Sequence, residues 1–368
     1  MSLSALTLSL PDAAMFRVPL RDDPETVLPP APGSSMWSAS AFSIPPSIYH
    51  GALDVRVPIT IASVYAVTVV MLNAYNRSRA NEPWAISKTR AFFRFVVAHN
   101  VVLALYSAWT FVGMVQAARR TVVNPLGPDG LLGMVDSLCK IHGRAGLGNA
   151  ISYNRMDSRW ESYSLQEAVL DGPTGTPNAA NLGRLWNEGL AFYGWLFYVS
   201  KFYEVLDSVI IIAKGKRSST LQTYHHAGAM MCMWSGIRYM SPPIWMFVLV
   251  NSFIHTLMYT YYTLSVLSVP VPQSFKKALT TMQIIQFLFG ASYAAAHSFI
   301  SYTLPPKYFT GDGSYRELSC LDTTGETFAI WLNVLYLTPL TILFFRFFIR
   351  SYFRPRRGGM KATQGKKA

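Results

Sequence analysis

Residues 189–213 read GLAFYGWLFYVSKFYEVLDSVIIIA, an apolar stretch interrupted only by Lys201, Glu204 and Asp207. At ~1.5 Å per residue a helix of this length crosses the ~30 Å hydrocarbon core of a bilayer. The three ionisable residues stand at i, i+3 and i+6, so a helix presents them within an arc of about 120°. Ionisable groups at membrane depth are costly and mark sites. Lys201 and Glu204 can also neutralise one another as a helical pair that serves packing. Asp207, an acid with no partner of its own in the stretch, favours a site.

The rest of the chain extends this reading outward. The 368 residues are 51% hydrophobic and 14% charged, with a mean hydropathy of +0.23, whereas a soluble domain carries roughly a quarter charged residues. Further apolar runs lie at about 57–74, 91–117, 221–240, 244–266, 279–300 and 326–347. The expected fold is an all-α integral membrane protein with seven transmembrane helices. The net charge of +13 does not point to nucleic acid, because the cations sit in short loops and one tail. Arg77, Arg79, Lys88 and Arg90 follow the first run, Lys214, Lys216 and Arg217 the third, and Lys276 and Lys277 precede the sixth. Arg346, Arg350, Arg354, Arg356, Arg357, Lys361, Lys366 and Lys367 end the chain. The positive-inside rule makes these segments cytosolic and the N-terminus lumenal.

The organisation expected is a lumenal, largely disordered tail over 1–50, a seven-span domain over 51–350 and a basic cytosolic tail over 351–368. The stretch Leu3 to Leu10 lacks a basic flank and meets Pro11, a poor signal peptide. Residues 119–185 form a long lumenal loop with Gly127-Pro128 and Gly130 turn signals. Cys139 and Cys320 both fall on the lumenal side, where an oxidising compartment permits a bridge; two free thiols is the alternative. Asn76-Arg77-Ser78 is a glycosylation sequon that this topology puts in the cytosol.

Two more polar clusters sit in apolar runs. Gln222, His225 and His226 lie a turn or two inside the cytosolic end of the fourth. Adjacent histidines differ by ~100° on a helix, so one packing face does not account for both. Asn251, His255, Tyr259 and Tyr262, at i, i+4, i+8 and i+11, form one stripe on the fifth run. An aromatic packing stripe explains the tyrosines but poorly explains a buried Asn one turn from a buried His. Gln283 and Gln286 add amides in the sixth, where interhelical hydrogen bonding competes with a site role. Basic loops at the mouth would hold phosphates. A metal box is opposed by the count: of seven histidines only 225 and 226 are adjacent, while His50, His99, His142 and His297 are scattered. Nucleophilic or acid/base chemistry remains, with an imidazole attacking a thioester or taking a proton.

At these residues the sequence resembles the ELO family of fatty acid elongases. The family's KxxExxD segment matches Lys201, Glu204 and Asp207, and its NxxxHxxMYxYY segment matches Asn251, His255, Met258, Tyr259, Tyr261 and Tyr262. Its TxxQxxQ segment matches Thr280, Gln283 and Gln286, and its HxxHH box reads Gln222-Thr223-Tyr224-His225-His226. Glutamine cannot act as base or nucleophile, so position 222 is positional here, and the departure bears on substrate class more than on reaction type.

The resemblance implies a multi-pass acyltransferase of the endoplasmic reticulum that condenses long-chain acyl-CoA with malonyl-CoA to 3-oxoacyl-CoA, CO2 and CoA. It implies a His225 acyl intermediate assisted by His255, with His226 and Gln222 orienting the pair and Asn251, Tyr259 or Lys201 stabilising the enolate. Glu204 and Asp207 complete the catalytic set. Substrate contacts fall to Tyr262, Gln283, Gln286, Lys214, Lys216, Arg217, Lys276 and Lys277. No metal or bound cofactor is required. Membrane lipid and the reductases and dehydratase of the elongation cycle are the expected partners, with homo-oligomerisation left open and no nucleic acid. A His-box desaturase or hydroxylase, and a seven-span receptor or transporter, are the competing readings.

Overall fold

A computed structural model of the protein describes residues 6–18, 20, 27, 44–128, 130–142, 151–154, 157, 159–162, 184–305 and 315–353. In chain order the elements begin with β1 (Leu6–Leu8), α1 (Pro46–Ala52), α2 (Arg56–Ser78), α3 (Arg90–Thr121) and α4 (Gly130–Cys139). A hairpin of β2 (Ile151–Asn154) and β3 (Arg159–Ser162) follows, then α5 (Ala191–Tyr203), α6 (Leu206–Ala213) and α7 (Thr220–Arg238). The chain continues through α8 (Ile244–Val266), α9 (Gln273–His297), β4 (Ile300–Leu304), β5 (Arg316–Ser319) and α10 (Thr324–Tyr352). The basic tail beyond residue 353 and about half of the 119–185 loop lie outside the described residues.

Among the described residues four helices, α2, α3, α8 and α10, are long and apolar enough to cross a membrane. Val64, Val67, Val70 and Met71 of α2 are more than half exposed. Branched apolar side chains facing outward along a whole helix need lipid, not water, around them. The segment 189–213 departs from a single span. It is two helices, with a tight turn at Glu204 and Val205 where Asp207 N–H donates to the Glu204 carbonyl and Ser208 N–H to that of Val205.

Packing neighbours define the architecture. α3 lies along α8, α8 against α9, α9 against α10, α10 against α7, α7 against α5 and α5 against α3. These relations close on themselves, so six helical segments surround a common interior, while α2 packs outside against α7 and α6. Helix starts are written locally: Ser219 caps α7 through Gln222 N–H, and Thr323 and Glu326 form a reciprocal capping box at α10.

The two ends of the ring are tied differently. At the basic end Asn76 is buried; its amide donates to the Ile212 carbonyl at 2.7 Å and its oxygen accepts from Trp84 Nε1 at 2.8 Å. Asn73 and Ser218 exchange two further bonds of 3.0 Å. The sequon asparagine is thus a buried clasp between α2, α6 and the loop that carries Trp84, with Asn73 adding the tie to the α6–α7 turn. At the opposite end β1, β4 and β5 form an antiparallel sheet with Leu6 opposite Tyr302. Cys139 and Cys320 are disulfide-bonded there, with Cα atoms 4.7 Å apart. Asp136 is held by Arg184 at 3.0 Å and by the Tyr302 hydroxyl at 2.8 Å. Burial, then the Asp136 charge, pushes the Tyr302 phenol above its ordinary range, so it stays a donor.

The all-α expectation is therefore amended by five short strands. Within the segment read as a disordered tail, Leu6–Leu8, a 3-10 turn at Ala13–Phe16 and α1 are formed. Strand β1 gains its backbone partners from β4, a contact between residues nearly the whole chain apart that local composition does not announce.

Gly215 has φ +71°, and a Cβ there would meet the carbonyl oxygen of Asn81 and the backbone of Pro83. Gly215→Ala should cost about 1–3 kcal/mol through left-handed strain and this crowding. A fall of several degrees in the detergent melting temperature is expected; an unchanged transition would show that the two loops do not press together.

Candidate active site

The ring of helices encloses a cavity of about 630 Å³. Lys214 and Lys276 line it at the basic end, and His225, His226, Asn251, His255 and Gln286 line it further in. Gln222, Glu204, Asp207, Tyr259, Tyr262 and Gln283 also face it. All three sequence clusters thus meet in one space. A second cavity, about 50 Å³, shares His225, Asn251, Gln286 and Phe287 with the first and runs on between Met233, Phe247, Leu337 and Leu340. Lys201 lines this narrow extension and not the wide cavity. Lys216, Arg217 and Lys277 line neither cavity; the Lys277 ammonium stands over the Phe353 ring, 4.9 Å from its centre.

Helix periodicity distributes the polar groups. On α7 the rings of His225 and His226 are 5.4 Å apart but meet different neighbours. His226 stands edge-on to Tyr65 of α2 at 6.0 Å, while His225 Nδ1 lies 3.1 Å from the Tyr336 hydroxyl of α10. On α8 the Asn251, His255, Tyr259 and Tyr262 stripe faces the cavity, with His255 edge-on to Tyr259 at 5.6 Å. His255 Nδ1 is 3.8 Å from Glu204 Oε1, too far for a hydrogen bond.

The α5–α6 break serves two carboxylates. Glu204 Oε1 accepts from Lys201 Nζ at 2.7 Å and from Ser200 Oγ at 3.2 Å, so the helical pair is formed, with the ammonium 3.8 Å from the Phe197 ring centre. Asp207, unpaired within its own segment, finds partners on other helices. Its Oδ1 is 2.8 Å from His99 Nε2 of α3, and its Oδ2 accepts from the Tyr259 hydroxyl of α8 at 2.8 Å. His99 Nδ1 in turn lies 3.2 Å from the Tyr203 hydroxyl.

His99 is the residue that sequence reasoning set aside as scattered. A signal existed: His99 and Asn100 are adjacent polar residues inside an apolar run, both buried, and Asn100 lines the cavity. Tyr336 was missed for a better reason, since one tyrosine in a span is ordinary. His142 also has a partner, Glu326 at 3.2 Å, at the opposite end of the ring. Among the described residues no three or more His, Cys, Asp or Glu side chains are gathered as metal ligands.

A model of the GNS1/SUR4 (ELO) family matches residues 52–360, spanning every helix of the ring. The chain belongs to the ELO family. Relatives of this ELO chain include very long chain fatty acid elongase 3 of Homo sapiens, 31% identical over 46% of the chain and 57% of the relative. Fatty acid elongase sre1 of Dictyostelium discoideum is 39% identical over 28% of the chain and 38% of the relative. Fatty acid elongase 2 of Trypanosoma brucei brucei is 26% identical over 48% and 62%. The matches cover roughly half the length of these relatives.

In the ELO chain His99 is hydrogen-bonded to a carboxylate whose other partner is the Tyr259 hydroxyl. His99→Leu should cost about 1–3 kcal/mol, the loss expected when one partner of a hydrogen bond to a charged group is removed. His99→Gln, which keeps a donor, should recover much of it. Equal melting temperatures for wild type and His99→Leu would remove Asp207 from the contacts that hold α3 to α6.

Proposed function

We propose that this protein condenses a long-chain acyl-CoA with malonyl-CoA to a 3-oxoacyl-CoA, releasing CO2 and CoA, as the first step of fatty acid elongation. The observation that carries the proposal is the lining of two adjoining cavities that share His225. Cations Lys214 and Lys276 line the wide one with two imidazoles from different helices, His225 and His255, and the narrow one beyond His225 is bordered by Met233, Phe247, Leu337 and Leu340 together with Lys201 and Asn333. An anionic headgroup, a thioester and a hydrocarbon tail match that order.

In the proposed reaction one imidazole nitrogen of His225 attacks the acyl thioester. A C–N bond forms, the C–S bond breaks and CoA leaves as thiolate, to be protonated by water at the mouth. Malonyl-CoA then loses CO2 as its C–C bond breaks, and the enolate carbon attacks the acyl-imidazolium. The new C–C bond displaces nitrogen, which recovers its electron pair. His255, Asn251 and Tyr259 border the same space and would stabilise the enolate oxygen, while the enclosed bundle limits hydrolysis of the adduct. No metal or cofactor enters this scheme.

The reading also places seven membrane-embedded segments: α2, α3, the α5–α6 pair, α7, α8, α9 and α10. The cytosol lies at the basic end and the lumen of the endoplasmic reticulum at the disulfide. α5 and α6 are each shorter than a span because the turn at Glu204 and Val205 divides them, and α7 carries Gln222, His225 and His226 in its first two turns. CoA esters would then enter from the cytosol, and the product would pass to reductase and dehydratase partners in the same membrane.

Purified protein given acyl-CoA and malonyl-CoA should release CoA and form a 3-oxoacyl product. His225→Ala should lower that rate by about a thousand-fold or more, and wild type given acyl-CoA alone should carry an acyl mass on the peptide containing His225. Near-normal condensation by the variant would overturn the nucleophile assignment. Gln222→His should retain condensation while shifting the product profile across acyl lengths and unsaturation; loss of all turnover would assign Gln222 to the chemistry itself.

A further inference from the structure

We propose that Tyr336 is a positioning residue that fixes His225 as its Nδ1-protonated tautomer, leaving Nε2 as the nitrogen whose lone pair meets the thioester. The inference deepens the proposed function and, as to the reaction, rests on it.

The argument is one of hydrogen accounting. The Tyr336 oxygen lies 2.9 Å from the backbone carbonyl oxygen of His225 and 3.1 Å from Nδ1 of the same residue. A phenol has one proton to give, and a carbonyl oxygen only accepts. If the hydroxyl gave its proton to Nδ1, two oxygen lone pairs would face one another at 2.9 Å. The arrangement that satisfies all three atoms has the hydroxyl donating to the carbonyl and Nδ1–H donating to the phenol oxygen. A neutral imidazole protonated at Nδ1 carries its free lone pair at Nε2.

The phenol is held where this needs it. Tyr336 stacks on Tyr224, with ring centres 5.4 Å apart and planes 25° from parallel. The Tyr224 hydroxyl donates to the Tyr336 carbonyl at 3.2 Å, so each tyrosine bonds the main chain of the other's helix. Gly228, one turn after Tyr224, makes room for the Tyr336 ring, which any Cβ there would strike. Backbone atoms of α7 and α10 therefore set the phenol, and the phenol sets the imidazole.

The consequence reaches both half-reactions. When Nε2 attacks and the C–S bond breaks, the imidazole becomes an acyl-imidazolium that keeps its Nδ1 proton. The bond from Nδ1–H to the phenol oxygen becomes charge-assisted and strengthens as positive charge develops. No proton has to leave the ring and return, and when the enolate carbon displaces Nε2 the original tautomer is regenerated.

The test is a Tyr336→Phe variant, which keeps the stacked ring and removes the hydroxyl, read by two measurements. In wild-type protein labelled with 15N-histidine, with His225 resonances assigned by their absence from His225→Ala, Nδ1 should appear as the protonated nitrogen and Nε2 as the bare one. The variant should lose that preference. Its kcat for CoA release should fall about 10–100-fold, with KM for acyl-CoA within about two-fold. A wild-type spectrum with the proton on Nε2 would overturn the proposal, even if the variant did not fold. So would a variant with unchanged tautomer and unchanged kcat. Normal condensation by His225→Ala would instead remove the nucleophile reading, and the wild-type spectrum would still decide the tautomer.

Discussion

A carboxylate inside a bundle of apolar helices must be partnered, and the partners of Asp207 organise the site around it. His99 comes from α3 and Tyr259 from α8, so one side chain of α6 ties together the two most extensively packed helices of the ring. In water such bonds exchange with solvent at little net gain; in a low-dielectric interior an orphaned charge costs far more than the bonds gain. The geometry is consequently restrictive. α3 and α8 keep their register, Tyr259 keeps its ring edge against His255, and the tight turn at Glu204 and Val205 sends two nearby carboxylates to different partners.

Much of this was legible in the sequence, because burial in lipid makes polar residues conspicuous. Lys201, Glu204, Asp207, Gln222, His225, Asn251 and His255 stood out against apolar surroundings, and helical periodicity alone put the α8 stripe on one face. What periodicity cannot give is the partner on another helix. His99 looked scattered because its meaning lies in Asp207, more than a hundred positions away. Tyr336 is the sharper case, since only tertiary packing brings it to His225. Charge patterning is coarser still: it marks a basic end, but a loop cation can turn to either side of a helix end, and of the five loop lysines and arginines singled out for substrate Lys214 and Lys276 are the ones that line the cavity.

The two ends of the ring hold together by different means. The end with the sheet is fastened covalently between Cys139 and Cys320 and by the buried Asp136, Arg184 and Tyr302 cluster. The basic end is fastened by hydrogen bonds, through Asn73 and Asn76 of α2 and between Thr280 of α9 and Tyr352 of α10.

The volumes argue where a proposed acyl tail must go. The narrow extension beyond His225 holds about 50 Å³, less than a tenth of the 630 Å³ of the wide cavity. An acyl tail proposed to enter it would press on its walls. Three of those wall residues, Phe247, Leu337 and Leu340, are bulky and fixed on α8 and α10, but Met233 is unbranched and adapts at small cost. Met233 lies on α7 two turns beyond His225, so the helix that would present the imidazole of the proposed acyl adduct also carries the most adaptable of these side chains.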